Sequence, residues 1–302
     1  MDKKYFGPLL IIFAAFLWSL DGFLRQGLYV LPAQLIVFLE HALGFIVVSP
    51  ILIKRWRELK NLDKTVWFSI AWIAILGGVL GTFFYTKALS YVGYIDLSVV
   101  VLLQKLQPLF AIGLAMIVLK ERPQKSYWFW ALLALVGAYF ITFKNGVPIF
   151  LQNGKELYAA LLAVGAAFAW GSSTVFGRKA LSAVHSKLLT ALRFGLTSLI
   201  LVPFLFVHNA WQHIPQIQIS QWQMLVAIVF STGLVAVIIY YAGLKHTRAS
   251  VATICELFWP LSAVLIDYFV NQTILTPLQI VGSIALLIAM YRISQNQKIV
   301  KV

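Results

Sequence analysis

Lys105 sits about twelve residues into the apolar stretch 93–119, roughly 18 Å from its start at 1.5 Å per residue. Gln104 and Gln107 flank it and Pro108 follows directly. At such a depth an ammonium needs a carboxylate partner or a water-filled cavity, so an ionisable residue there marks a functional site by default. Similar residues occur in other apolar stretches: Asp21 with Arg25 four residues on, Glu40 with His41, Arg193, and Glu256 three residues before Trp259-Pro260. Both signs of charge favour a zwitterionic or amphipathic solute over a simple ion, and a carboxylate in low dielectric can exchange protons near neutral pH. Glu40 and Glu256 are the candidates for such coupling. Permanent pairing of Lys105 with Glu40 or Asp21 is the structural alternative. Trp18, Trp170 and Trp259 lie inside apolar runs, where they can wall a cavity or simply pack. Pro108 and Pro260 are expected kinks that release the carbonyls of Gln104 and Glu256.

The elements that must hold these groups follow from composition. Of 302 residues, 61% are apolar and only 11% charged, against about a quarter in ordinary soluble domains. That excludes a water-soluble enzyme and a disordered chain. The net charge of +14 does not point to nucleic acid, because the basic residues fall in short gaps between apolar runs. Cys255 is the one cysteine, which excludes an internal disulfide framework and a Cys-rich metal site. His41, His185, His208, His213 and His246 lack metal-ligand spacing, and no phosphate-binding GxxxxGK[ST] loop is present. No cofactor and no metal are expected.

Runs long enough to cross a membrane cover 6–26, 33–53, 66–86, 93–119, 126–143, 157–177, 187–207, 222–244, 248–270 and 277–294. Most Lys and Arg fall in alternate gaps, on one side; Arg25, Lys87, Lys144 and Lys155 fall on the other. An even number of crossings with this bias puts both termini in the cytoplasm, as expected for a multi-pass protein of the cell (inner) membrane. Gly77, Gly78 and Gly81 read as a small-residue face for close helix contact.

The chain repeats itself. Ala14-Ala15-Phe16-Leu17-Trp18 returns as Ala166-Ala167-Phe168-Ala169-Trp170 at a shift of 152, Leu39-Glu40 as Leu192-Arg193 at 153, Tyr85 as Tyr240 at 155, and Pro108 as Pro260 at 152. Two units are expected, 1–145 and 146–302, each of five spans. Because five is odd, the second enters the membrane inverted, an arrangement found in secondary transporters.

These landmarks, together with Arg193 ten residues before Pro203 and Lys120-Glu121-Arg122-Pro123 after the fourth run, resemble the EamA-type drug/metabolite transporter superfamily. The resemblance covers roughly 6–294. It implies an all-α membrane protein of ten transmembrane helices as two inverted five-helix repeats, not an enzyme, working by alternating access on a small organic solute, often outward.

The expected function is secondary transport of a small polar or amphipathic, amino-acid-like or drug-like metabolite. Export is the expected direction, with protons or exchange as the drive and membrane lipid as surroundings. The expected site is Trp18, Asp21, Glu40, His41, Gln104, Lys105, Gln107, Trp170, Arg193, Glu256 and Trp259. Two alternatives stay open: a membrane-embedded lipid-modifying enzyme, for which His185-Ser186 is the nearest nucleophile–base pair, and a facilitative channel. Monomer and homodimer also stay open.

Overall fold

The computed structural model describes residues 3–91, 100, 103–142, 154–272 and 274–296. Among them there is no strand. In hydrocarbon no water satisfies backbone N–H and C=O groups, and helices do so internally. The helices are α1 (Tyr5–Arg25), α2 (Ala33–Leu59), α3 (Lys64–Leu89), α4 (Gln107–Val118), α5 (Lys125–Thr142), α6 (Gly154–Ala180), α7 (Ser186–Val207), α8 (Ile219–Leu244), α9 (Ala249–Cys255 then Phe258–Asn271) and α10 (Pro277–Asn296). Eight of them are long and apolar enough to cross a membrane; α4 is a shorter apolar helix, and α5 is not among the eight. The fourth expected run, 93–119, lies partly outside the described residues, as does Thr273.

The chain is apolar outside and polar within. Ile117, Leu199, Val207 and Phe269 are largely exposed, whereas Arg25, Glu40, Lys105 and Glu256 are buried. A water-soluble globule has the reverse order, so the outer surface is suited to lipid.

Helix pairing is symmetric. α2 packs on α7, α5 on α10, α1 on α8 and α9, α6 on α3 and α4, and α4 on α9. Exchanging each helix of the first five with the one five places later returns the same set of pairs, so the packing follows the duplication of the sequence. The α5–α10 seam depends on two glycines. A Cβ on Gly137 would lie 2.7 Å from the Gly282 carbonyl oxygen, and a Cβ on Gly282 would lie 2.7 Å from that of Gly137.

Four helices are irregular at matching levels. α3 is π-helical over Ile73–Leu80. At the equivalent level of α8, Gly233 N–H donates to Ile228 O (2.7 Å) and Ala236 N–H to Ser231 O (3.1 Å), both five residues back. Before Pro108 the chain turns at Lys105-Leu106, and before Pro260 at Glu256-Leu257. These are interruptions rather than the bends expected. The Glu256 carbonyl is not free as expected, because it accepts the Trp259 N–H at 3.1 Å.

Outside the bundle, α3 starts behind Asp63, whose Oδ1 accepts the Val66 N–H and the Thr65 hydroxyl, both at 2.8 Å. The Val66 N–H bond is the main reason this carboxyl lies below its ordinary range.

Candidate functional site

The irregular levels of α4, α8 and α9 line one cavity of about 150 Å³, and α3 reaches it through Thr82 and Tyr85, just past its π segment. All eleven residues expected from the sequence line it, together with Arg25, Thr82, Tyr85, Ser173, Thr174, Phe194, Thr232, Gly233, Val237 and Tyr240. They come from both halves. α5 and α10, paired with each other, contribute none.

One wall is ionic. Arg25 bonds Asp21 through Nε (2.6 Å) and Nη2 (2.9 Å), and its Nη2 also reaches Glu40 Oε2 at 3.0 Å. Thr232 on α8 donates to Asp21 Oδ1 at 2.8 Å. The cluster therefore ties α1, α2 and α8 together. Counting Arg25 among the charges of the outer side is corrected: it is 3% exposed and is the cation that bridges the two carboxylates. The Asp21/Arg25 spacing of four, one helical turn, contained that signal.

Lys105 does not pair with Glu40 or Asp21. Its Nζ sits 3.7 Å above the centroid of the Trp259 ring, and it forms no ion pair among the described residues. A cation over the negative face of an indole is attracted by the ring quadrupole.

Glu256 is held by neutral donors. Tyr240 Oη donates to its Oε1 at 2.6 Å, Thr174 Oγ1 lies at 3.3 Å, and Gln107 Nε2 donates to its Oε2. Gln104 Nε2 in turn donates to Gln107 Oε1 at 2.9 Å.

Arg193 makes a third polar locus. Its Nη2 donates to the Gly77 carbonyl (2.9 Å) and its Nη1 to Tyr241 Oη (3.1 Å). Trp170 Nε1 donates to the same carbonyl at 3.2 Å. The π-helix presents that oxygen to the cavity wall, so the Gly77-Gly78-Gly81 face does more than pack. His41 is a packing residue: its Nδ1–H donates to Val37 O at 2.8 Å and its ring lies against Phe194.

The aromatic walls show the duplication in space. Trp18 packs on Tyr240 with centroids 5.1 Å apart, and the equivalent Trp170 packs on Tyr85 at 5.2 Å. Each pair takes one residue from each half. Tyr85 and Tyr240 were visible in the sequence as repeat landmarks but not as members of the site. Tyr85 also meets Trp259 edge-on at 6.3 Å.

At one end of the bundle the halves are joined by Glu121, between α4 and α5. Its Oε1 accepts the Ala249 N–H at 2.8 Å, while Oε2 accepts the Ser250 N–H (3.1 Å) and hydroxyl, capping α9. Glu121→Ala is expected to lower stability by about 1 kcal/mol, the usual cost of losing a cap. The melting temperature in detergent reads this, and an unchanged value would remove the carboxylate from the account of α9.

Among the described residues no group of three His, Cys, Asp or Glu could hold a metal. His185 Nδ1 accepts the Lys187 N–H at 3.3 Å, a helix cap and not a base poised on a nucleophile.

The sequence profile described as the EamA-like transporter family matches twice, at 5–143 and 157–295. The riboflavin transporter ImpX of Fusobacterium nucleatum is 38% identical over 297 residues, covering 98% of this chain and 99% of its own. The pseudopaline exporter CntI of Pseudomonas aeruginosa is 21% identical over 301 residues, with 99% of each chain covered. One solved crystal structure superposes with a TM-score of 0.74 at 16% identity over 94% of both chains, a likeness of fold alone. By this match over both halves, the duplicated helical fold and the lipid-suited exterior, the chain belongs to the EamA-like transporter family, and so to the drug/metabolite transporters, multi-pass membrane proteins.

Proposed function

We propose that this chain carries riboflavin, or a flavin of the same neutral planar-ring and polyol build, across a cell membrane. The single observation that carries this reading is the 38% identity to the riboflavin transporter ImpX over 98% of the chain. The cavity chemistry supports it. Trp18, Trp170, Trp259, Tyr85 and Tyr240 offer faces for a planar ring. The three carboxylates Asp21, Glu40 and Glu256 balance the three cations Arg25, Lys105 and Arg193, which suits a ligand without net charge.

Transport proceeds by alternating access between two inverted halves, 1–145 and 146–302, each of five spans, with both termini in the cytoplasm. The symmetric helix pairing supports the first part of this reading, and the Lys and Arg distribution supports the second. Burial of Arg25 leaves fewer basic residues on the outer side and sharpens that bias. A cavity of about 150 Å³ is smaller than the roughly 300–1,000 Å³ typical of drug-sized ligands, so a flavin enters only as the halves separate. Glu40 is ion-paired with Arg25, whereas Glu256 is hydrogen-bonded by neutral donors, which makes it the coupling carboxylate of this reading.

Counterflow of riboflavin in proteoliposomes, followed by flavin fluorescence, tests the reading. Saturable counterflow is expected, reduced about tenfold by Trp170→Leu through loss of aromatic contact. Glu256→Gln is expected to keep counterflow but lose uphill accumulation under a pH gradient. Absence of saturable riboflavin counterflow in the unmodified protein would refute the proposal.

A further inference from the structure

We infer that Gln104 and Lys105 read the edge of the substrate ring and select heterocycles that present an imide, a carbonyl–NH–carbonyl sequence. The inference rests on the flavin reading above and assigns the residues that set its specificity.

Glu256 accepts bonds from Tyr240, Thr174 and Gln107. Gln107 must turn its NH₂ towards that carboxylate, so its Oε1 faces the other way and accepts from Gln104 Nε2 at 2.9 Å. The orientation of the Gln104 amide follows: its NH₂ faces Gln107 and its Oε1 is left for a ligand. A relay starting at Glu256 thus fixes the Gln104 amide with its carbonyl oxygen turned away from Gln107 and free to accept, beside the second N–H of its amide.

Position 105 is the reverse. Lys105 has three donors and no acceptor, and its ammonium meets the Trp259 ring face, forming no ion pair among the described residues. Both side chains are buried, at 4% and 7% exposure, and both line the cavity. An acceptor next to a donor complements an imide edge, whose N–H donates and whose carbonyls accept. The aromatic wall of Trp259, Tyr85 and Trp170 continues from this edge and offers a face to the same ring.

The second half carries no such edge. At the shift of 152 Glu256 stands for Gln104 and Leu257 for Lys105. A ligand in this pseudo-symmetric cavity is therefore recognised in one orientation only.

The test compares riboflavin with N3-methylriboflavin, which keeps the ring, the tail and both carbonyls but lacks the imide N–H. Binding is read by flavin fluorescence quenching on the purified full chain. Riboflavin is expected to bind about tenfold or more tightly than the methylated form, since a site that hydrogen-bonds an N–H rejects the analogue lacking it. Gln104→Leu should bring the ratio to about one by weakening riboflavin, while Gln104→Glu, which keeps an acceptor, should preserve a preference. Lys105→Met should weaken both ligands alike, because both retain the carbonyls. If the unmodified protein binds riboflavin and N3-methylriboflavin equally, edge reading is wrong and the flavin proposal survives. If riboflavin gives no saturable quenching, the flavin proposal fails and takes this inference with it.

Discussion

Replacing Arg25 by methionine is expected to remove about 3–5 kcal/mol of stability, a large part of the roughly 5–15 kcal/mol margin of a folded protein. The substitution keeps most of the side-chain volume but strands Asp21 and Glu40, two carboxylates that Arg25 now bonds at 2.6–3.0 Å. Thr232 could still donate to Asp21, while Glu40 would lose its only ion-pair partner among the described residues. Removing all three charges together, as Asp21→Asn, Arg25→Met, Glu40→Gln, should recover most of the loss, since an intact buried cluster adds little net stability. Thermal unfolding in detergent reads both variants. A melting temperature unchanged by Arg25→Met would mean that water, and not Arg25, solvates these carboxylates.

Gly137→Val is expected to reach the upper end of the about 1–3 kcal/mol that overpacking costs. Here the obstacle is the carbonyl oxygen of Gly282, 2.7 Å from where a Cβ would stand. Backbone cannot rotate aside as a side chain can, so α5 and α10 must separate along the seam. Gly113 is the control, with nothing within 4 Å of its added Cβ. Gly113→Ala should be neutral or raise stability by about 0.5–1 kcal/mol, as alanine favours a helix interior. Equal melting temperatures for Gly137→Val and the unmodified protein would show that the seam gives way easily.

What could be read from the sequence was what depends on residue type and period. Apolar runs located the helices to within a few residues, apart from α2, which continues through Lys54, Arg55 and Arg57 to Leu59, and the fourth run, whose start lies outside the described residues. Ionisable groups in those runs identified the residues that share the cavity, because burying a charge in an apolar run demands a common polar space. Arg25 was misplaced because near a helix end the same residue reads equally well as a loop charge or a core ion. The Gly77 carbonyl could not have been foreseen. It depends on backbone geometry that no side chain records, and the glycines beside it point first to packing. Tyr85 and Tyr240 were missed as wall residues because tyrosine is common in membrane helices, and only the pairing of Trp18 with Tyr240 and Trp170 with Tyr85 gives them a role.

The widened turn at Ile73–Leu80 and the break at Ser231–Gly233 interrupt the same rung of two corresponding rods. A continuous rod passes a push at one tip straight to the other. A jointed rod dissipates it as bending at the joint. The upper and lower lengths of α3 and α8 are therefore joined through an irregular turn rather than a continuous rod, which is the place where bending would fall under the alternating access proposed above.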